Sequence, residues 1–243
     1  MCHSAEGLPP APPEPKEVAG HGPLTLTSAD GTAVPAYYAL PAGPPRGRMV
    51  ILPDVRGVHP YYTALAQRFA EAGFATIAVD YYGRTAGAGE RDDSFDWQRY
   101  LPSVRPGEVE IDVAAALAHL SGHTTSPAYT VGFCFGGSQS WRLAASGLDL
   151  AGVIGFYGRP SLVEDVVGSV TKRMLLLVAG DDEVTPRQEF EDFAARLTEA
   201  GADHEMRIYE SAPHSFFDRS SGEWAQACAD AWRRILDFTR PSS

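Results

Sequence analysis

From residue 47 onward the chain repeats one pattern, a short apolar run followed by a longer segment. The runs are "RMVILP", "FATIAVD", "AYTVGF", "AGVIGFY" and "MLLLVAG", and "HEMRIYE", more polar, reads as a last strand. The segments that read as helices are "YYTALAQRFAEAG", "GEVEIDVAAALAHL", "GGSQSWRLAAS", "PRQEFEDFAARLTEAG" and "SGEWAQACADAWRRILDFTR". A strand that is apolar at nearly every position is covered on both faces. Strand–helix alternation of this kind therefore implies a mostly parallel sheet with helices on both sides. Ahead of it, "LTLTS" and "VPAYYAL" flank Asp30-Gly31, a dipeptide that favours a tight hairpin, so the sheet should open with an antiparallel pair. Residues 8–16, "LPPAPPEPK", are too rich in proline for a regular element and read as an extended arm. The expected organisation is an arm over residues 1–22 and one domain over 23–240. The glycine-rich polar stretch from Gly83 to Pro106 should be a long functional loop.

Charge and cysteine content narrow the function. The formal net charge is −11, which repels nucleic acid and anionic membrane surfaces. A small anionic substrate is not excluded, since a few local arginines can hold one. The three cysteines, at 2, 134 and 228, form no disulfide framework and no CxxC pair, as suits a reducing compartment. "MCHSAEGLPP" lacks the apolar core of a signal peptide, and no run is long enough to span a bilayer. A cytoplasmic protein, monomeric or weakly dimeric, is expected, with no cofactor or metal. Cys2 and His3 read as a loose terminus, and Cys228, inside the last helix, as a packing residue.

One stretch carries chemistry. Gly132-Phe133-Cys134-Phe135-Gly136 stands between a strand and a helix. The G-x-C-x-G form suits a sharp turn where strand and helix backbones pass close together and the middle side chain points up from the sheet edge. The start of the helix favours negative charge and so a thiolate. After "MLLLVAG" the chain reads Asp181-Asp182-Glu183-Val184-Thr185-Pro186, and after "HEMRIYE" it reads "SAPHSFFDR", with His214. Nucleophile, acid and histidine thus follow three different strands in the order of the α/β-hydrolase triad. Cys134 would attack an acyl carbon, His214 would move the proton, and Asp182 would orient the imidazole. Asp182 is preferred to Asp181 because it stands four residues before Pro186. The oxyanion should take the backbone N–H of Phe135 and that of Val55 in the loop "PDVRGVHP". Asp54 and Arg56 in that loop suggest a pocket, and Tyr81, Tyr82, Phe133, Phe135, Phe216 and Phe217 would suit a planar apolar ligand or the core.

In "GFCFGG", "DYYGR", the D-x-x-x-P loop and "PHSF", with "MCH" and "PDVRG" matching an actinobacterial-type branch, the chain resembles the dienelactone hydrolases from about residue 23 to 240. The resemblance implies an α/β-hydrolase fold with an eight-stranded, mostly parallel sheet behind an N-terminal hairpin. It implies hydrolysis of a carboxylate-bearing enol-lactone by Cys134, Asp182 and His214. Asp54 stands where the family has a glutamate contacting the resting cysteine, and is one methylene shorter. Arg84 matches the first of two substrate-binding arginines. At the place of the second stands Asp218, with Arg219 one residue later. A broad carboxylesterase acting on neutral aryl or alkyl esters is the alternative within this chemistry.

Two readings compete with it. Class I amidotransferases also use G-x-C-x-G, but they carry His-x-Glu late in the chain, where this sequence has His214-Ser215-Phe216. A hydrolase-fold protein that only binds its ligand would have no use for the three candidate triad residues.

Overall fold

A computed structural model describes residues 8–218 and 221–240; Cys2, His3 and Arg219 lie outside the described residues. The hairpin forms where Asp30-Gly31 places it. Strands β1 (Val18–Thr27) and β2 (Ala33–Pro41) pair antiparallel, with Leu24 opposite Ala36 and Thr27 opposite Ala33. Strand β1 starts at Val18, so residues 18–22 belong to the sheet rather than to the arm. The arm itself is docked. Pro9 O accepts from Arg68 Nε at 3.3 Å and Pro10 O from Trp232 Nε1 at 3.0 Å.

The five runs and "HEMRIYE" become β3 (Gly47–Leu52), β4 (Phe74–Val79), β5 (Ala128–Phe133), β6 (Gly152–Phe156), β7 (Met174–Asp181) and β8 (His204–Pro213). The sheet order is β1-β2-β4-β3-β5-β6-β7-β8. Only the β1–β2 and β2–β4 pairings are antiparallel. This is the mostly parallel eight-stranded sheet expected from the sequence.

Successive residues of the central strands feed opposite cores, which is why those strands are apolar throughout. Met49, Ile51, Val131 and Leu177 face one side, under helices α1 (Pro60–Glu71) and, last in the chain, α7 (Ala225–Phe238). Val50, Leu52, Ile77 and Leu176 face the other. That side is covered by α4 (Pro106–Ser121), α5 (Phe135–Arg142) and α6 (Arg187–Glu199). Cys228 is buried on α7, in the first of these cores. Two departures from the sequence reading are local. The stretch 83–106 holds short helices α2 (Gly83–Ala86) and α3 (Trp97–Tyr100), and 3-10 turns occupy Pro160–Leu162 and Glu164–Ser169 between β6 and β7. Among the described residues no helix is long and apolar enough to cross a membrane.

Candidate active site

Strands β3, β5, β7 and β8 end at one edge of the sheet, and the loops that leave them meet there. Cys134 is the turn between β5 and α5. Its backbone has φ 52° and ψ −117°, a conformation L residues avoid, at a cost of roughly 1–3 kcal/mol. The flanking glycines explain how the turn closes. A Cβ on Gly132 would stand 1.9 Å from Gly136 O, and one on Gly136 would stand 2.1 Å from Leu52 O. The Cys134 N–H donates to Phe156 O at 3.0 Å, which ties the turn to β6. Tyr157 (φ 36°), Ser211 (57°) and Ser215 (63°) are also held at positive φ around this edge, so backbone strain is concentrated here.

Strands β7 and β8 shift register between Ala179 and Asp181, and Asp181 ends opposite Pro213. The next residue on each strand is therefore a neighbour of the other. Asp182 Oδ2 lies 2.8 Å from His214 Nδ1, and the Asp182 side chain is wholly buried. Its Oδ1 accepts the N–H groups of Val184 (2.8 Å) and Thr185 (3.1 Å), so the carboxylate is fixed from both sides. Asp181 is exposed. The imidazole also hydrogen-bonds the Cys134 sulfur. With Nδ1 on Asp182, Nε2 is the nitrogen left for that bond. Burial works against a charge on His214, but the bonds to Asp182 and Cys134 more than offset it and raise the imidazole to about 10. The Tyr157 ring packs on this imidazole with centroids 4.9 Å apart.

The loop after β3 is held by three tyrosines. The Asp54 N–H donates to Tyr62 Oη at 2.9 Å. Tyr81 Oη donates to Asp54 O, and Tyr82 Oη donates to Val55 O at 2.6 Å. The N–H groups of Arg56 and Gly57 turn back onto Asp54, at 2.8 and 3.2 Å. Among the described residues, Val55 and Val58 are the two positions of this loop whose N–H groups have no protein acceptor. Phe135 is the first residue of α5, where backbone N–H groups have no partner within the helix. Both amides expected for an oxyanion are thus at the same edge as Cys134.

The four expected substrate-binding residues fare differently. Asp54 and Arg56 reach this edge but turn on each other, with Arg56 Nε and Nη2 forked on the Asp54 carboxylate at 3.0 and 2.5 Å. Burial disfavours the charge on Asp54, and the Arg56 fork outweighs it, so the carboxyl sits below its ordinary value. Asp218 Oδ2 lies 3.7 Å from Arg56 Nη2. The Asp54 carboxylate is therefore committed to an arginine. Arg84, expected at the substrate, makes its contacts elsewhere. Its Nε and Nη2 bond Asp112 at 3.0 and 2.6 Å, and its Nη1 bonds Asp30 at 2.6 Å. It joins α2 to α4 and to the β1–β2 turn, and its donors are used there. Arg219 lies outside the described residues.

Of the six aromatic residues, Tyr81, Tyr82, Phe133, Phe216 and Phe217 are buried, and Phe135 is partly exposed. The first five are core residues, as packing alone would make them. The sequence reading passed over Tyr62 and Tyr157. A tyrosine directly after a strand at the catalytic edge, as in "GFYG", is the signal that would have found Tyr157. Among the described residues no group of three or more His, Cys, Asp or Glu is placed to hold a metal ion.

Known proteins share this fold. The model of the dienelactone hydrolase family matches residues 34–243. A Pseudomonas putida protein named carboxymethylenebutenolidase is 28% identical over 234 residues, covering 90% of this chain and 95% of its own length. A Yersinia pestis protein provisionally given the same name is 28% identical over 230 residues, covering 88% of this chain and 86% of its own. Among solved structures, one from Klebsiella pneumoniae, provisionally named a dienelactone hydrolase, superposes with a TM-score of 0.78 at 23% identity. It covers 92% of this chain and 99% of that one. At that identity the likeness speaks for the fold.

Proposed function

This chain belongs to the dienelactone hydrolase family, and on that premise we propose that it hydrolyses an activated ester or enol-lactone through an acyl-cysteine formed at Cys134. The observation that carries the reading is the continuous chain of contacts from the buried Asp182 carboxylate through His214 to the Cys134 sulfur.

The Cys134 sulfur bonds to the acyl carbon while its proton rests on His214 Nε2. The carbonyl oxygen becomes an oxyanion and takes the N–H groups of Val55 and Phe135. Collapse breaks the carbon–oxygen bond, and His214 returns the proton to the departing oxygen. Water then gives a proton to the same imidazole and attacks the thioester. The carbon–sulfur bond breaks, and the proton goes back to Cys134. Asp182 keeps Nδ1 protonated and stabilises the imidazolium throughout. A stabilised enolate or phenolate leaves readily from such an intermediate and an amine does not, so amides are poor substrates.

The arginines bear on the acyl group. Arg84 is spent on Asp30 and Asp112, and Arg56 on Asp54. A substrate carboxylate approaching Arg56 would compete with one already in place. This favours a second reading, a carboxylesterase that takes neutral aryl or alkyl esters. Measuring kcat/KM for a carboxylated lactone and for its neutral methyl ester on the wild-type protein separates the two. Preference for the charged lactone supports the first, and preference for the methyl ester the second. Turnover of neither that substrate pair nor a nitrophenyl ester would overturn both.

A further inference from the structure

A second cluster stands behind the loop that carries Val55. Asp80 follows β4, and Arg91 lies in the stretch between α2 and α3. Their side chains are 2% and 3% exposed, and Arg91 Nε is 2.8 Å from Asp80 Oδ2. Desolvating two charges offsets much of their attraction, so a pair this deeply buried adds little stability by itself. Its neighbours suggest another use. Asp80 Oδ1 accepts the Tyr82 N–H at 3.1 Å, and Asp80 O accepts the Gly83 N–H at 3.0 Å, which fixes Tyr81 and Tyr82. The hydroxyls of these two tyrosines hold the peptide groups on either side of Val55. The Asp54–Val55 peptide carries the candidate oxyanion N–H, and its carbonyl accepts from Tyr81 Oη. The next carbonyl, Val55 O, accepts from Tyr82 Oη.

Arg91 braces the arrangement from outside. Its guanidinium lies over the Phe95 ring at 4.6 Å, and that ring packs on Tyr82 with centroids 5.1 Å apart. Its Nη2 donates to Gly87 O at 2.7 Å. Gly57, at the far end of the Val55 loop, has φ +78° and lies against all three side chains. A Cβ there would stand 2.9 Å from Asp80 Oδ1, 3.0 Å from Tyr82 Cδ2 and 3.4 Å from Arg91 Cγ.

We propose that the buried Asp80–Arg91 pair is a positioning element for oxyanion binding, setting the Val55 amide through the hydroxyls of Tyr81 and Tyr82. It rests on the reading of Val55 as an oxyanion donor. An amide displaced by even 1 Å from the oxyanion can cost about a hundredfold in rate. The cluster is also sensitive to pH. Burial raises the Asp80 carboxyl to about 6, against the lowering pull of Arg91 and the Tyr82 N–H. The charged and titratable groups facing it are Arg91, Tyr81 and Tyr82. As pH falls through about 6 the carboxylate is neutralised, the pair is lost and the tyrosines lose their anchor.

The test measures kcat and KM on an aryl acetate from about pH 5 to 8. The proteins are wild type, Arg91→Met, Arg91→Lys, Asp80→Asn and Tyr82→Phe, with Cys134→Ala as control. Tyr82→Phe removes one hydroxyl from an otherwise unchanged ring, so it reads the coupling even if a charge variant folds poorly. In Arg91→Met kcat should fall about ten- to a hundredfold with KM within about twofold, the signature of a lost transition-state contact. Arg91→Lys should recover part of it, and Tyr82→Phe should move kcat the same way by less. Wild type should lose kcat below about pH 6, and Asp80→Asn should be low and flat there. Unchanged kcat in both Arg91→Met and Tyr82→Phe would overturn the proposal, as would an acid limb that persists in Asp80→Asn. An active Cys134→Ala would instead remove the hydrolytic reading beneath it.

Discussion

Asp181 and Pro213 face each other across β7 and β8 as the last register pair of the sheet. That pairing delivers Asp182 and His214 side by side, and it separates the two adjacent aspartates. Asp182 meets the imidazole at 2.8 Å, while Asp181 remains exposed on the strand.

Asp182→Asn should lower kcat by about three to four orders of magnitude, because the amide can hold the imidazole in the wrong tautomer and cannot stabilise its charge. Asp181→Asn should stay within about twofold. Steady-state turnover of an aryl acetate by both variants checks this. A reversed order would assign the orienting acid to Asp181.

His214 makes stability depend on pH. Its value is about 6.5 in the unfolded chain, and in the folded state the bonds to Asp182 and Cys134, opposed by burial, raise it to about 10. The folded protein therefore binds this proton more tightly. The resulting stabilisation is complete below about pH 6.5 and is lost as pH rises through about 10. Urea denaturation of wild type and His214→Gln should show the largest gap near pH 6 and the smallest near pH 10.5. A gap that widens with rising pH would contradict the assignment.

Arg84→Ala should act on the fold rather than on substrate selection. It leaves the fully buried Asp112 side chain without its bidentate partner. Breaking a buried pair in this way costs about 3 kcal/mol or more. Its effect on KM should be the same for a carboxylated lactone and for the neutral methyl ester. A rise in KM confined to the charged lactone would restore Arg84 to the substrate site.

Gly136→Ala probes the turn itself. The added methyl would fall 2.1 Å from Leu52 O and 2.2 Å from Pro53 O, both main-chain atoms that cannot step aside. Activity should be lost together with about 3 kcal/mol or more of stability. A variant with wild-type melting behaviour would show that strand β3 and helix α5 pass less closely than described.

The elements most legible in the sequence were those fixed by local pattern. The apolar runs marked β3 to β7 because their residues alternate between two cores, and Asp30-Gly31 marked the hairpin. The glycines around Cys134 and the distance from Asp182 to Pro186 pointed to residues that the fold does bring to one edge. Side-chain partnerships were not legible. Arg84 pairs with Asp112 and Asp30, 28 and 54 residues away, and nothing near "DYYGR" reveals either partner. Asp54 and Arg56 each looked available to a ligand, yet two residues of separation let them satisfy one another. The Asp80–Arg91 pair was hidden because the stretch 83–106 reads as polar and glycine-rich, whatever its buried anchor. The 3-10 turns between β6 and β7 have no period long enough to announce them.

The central claim is a covalent acyl group on Cys134. Wild-type protein is mixed with excess aryl ester of a hindered, slowly hydrolysed acyl group, quenched in acid within the first turnovers, and weighed intact. The expected result is a mass increase of one acyl group, located by peptide mapping at Cys134 and missing from Cys134→Ala. Steady release of the phenol with Cys134 unmodified, or an adduct of the same yield in Cys134→Ala, would contradict it.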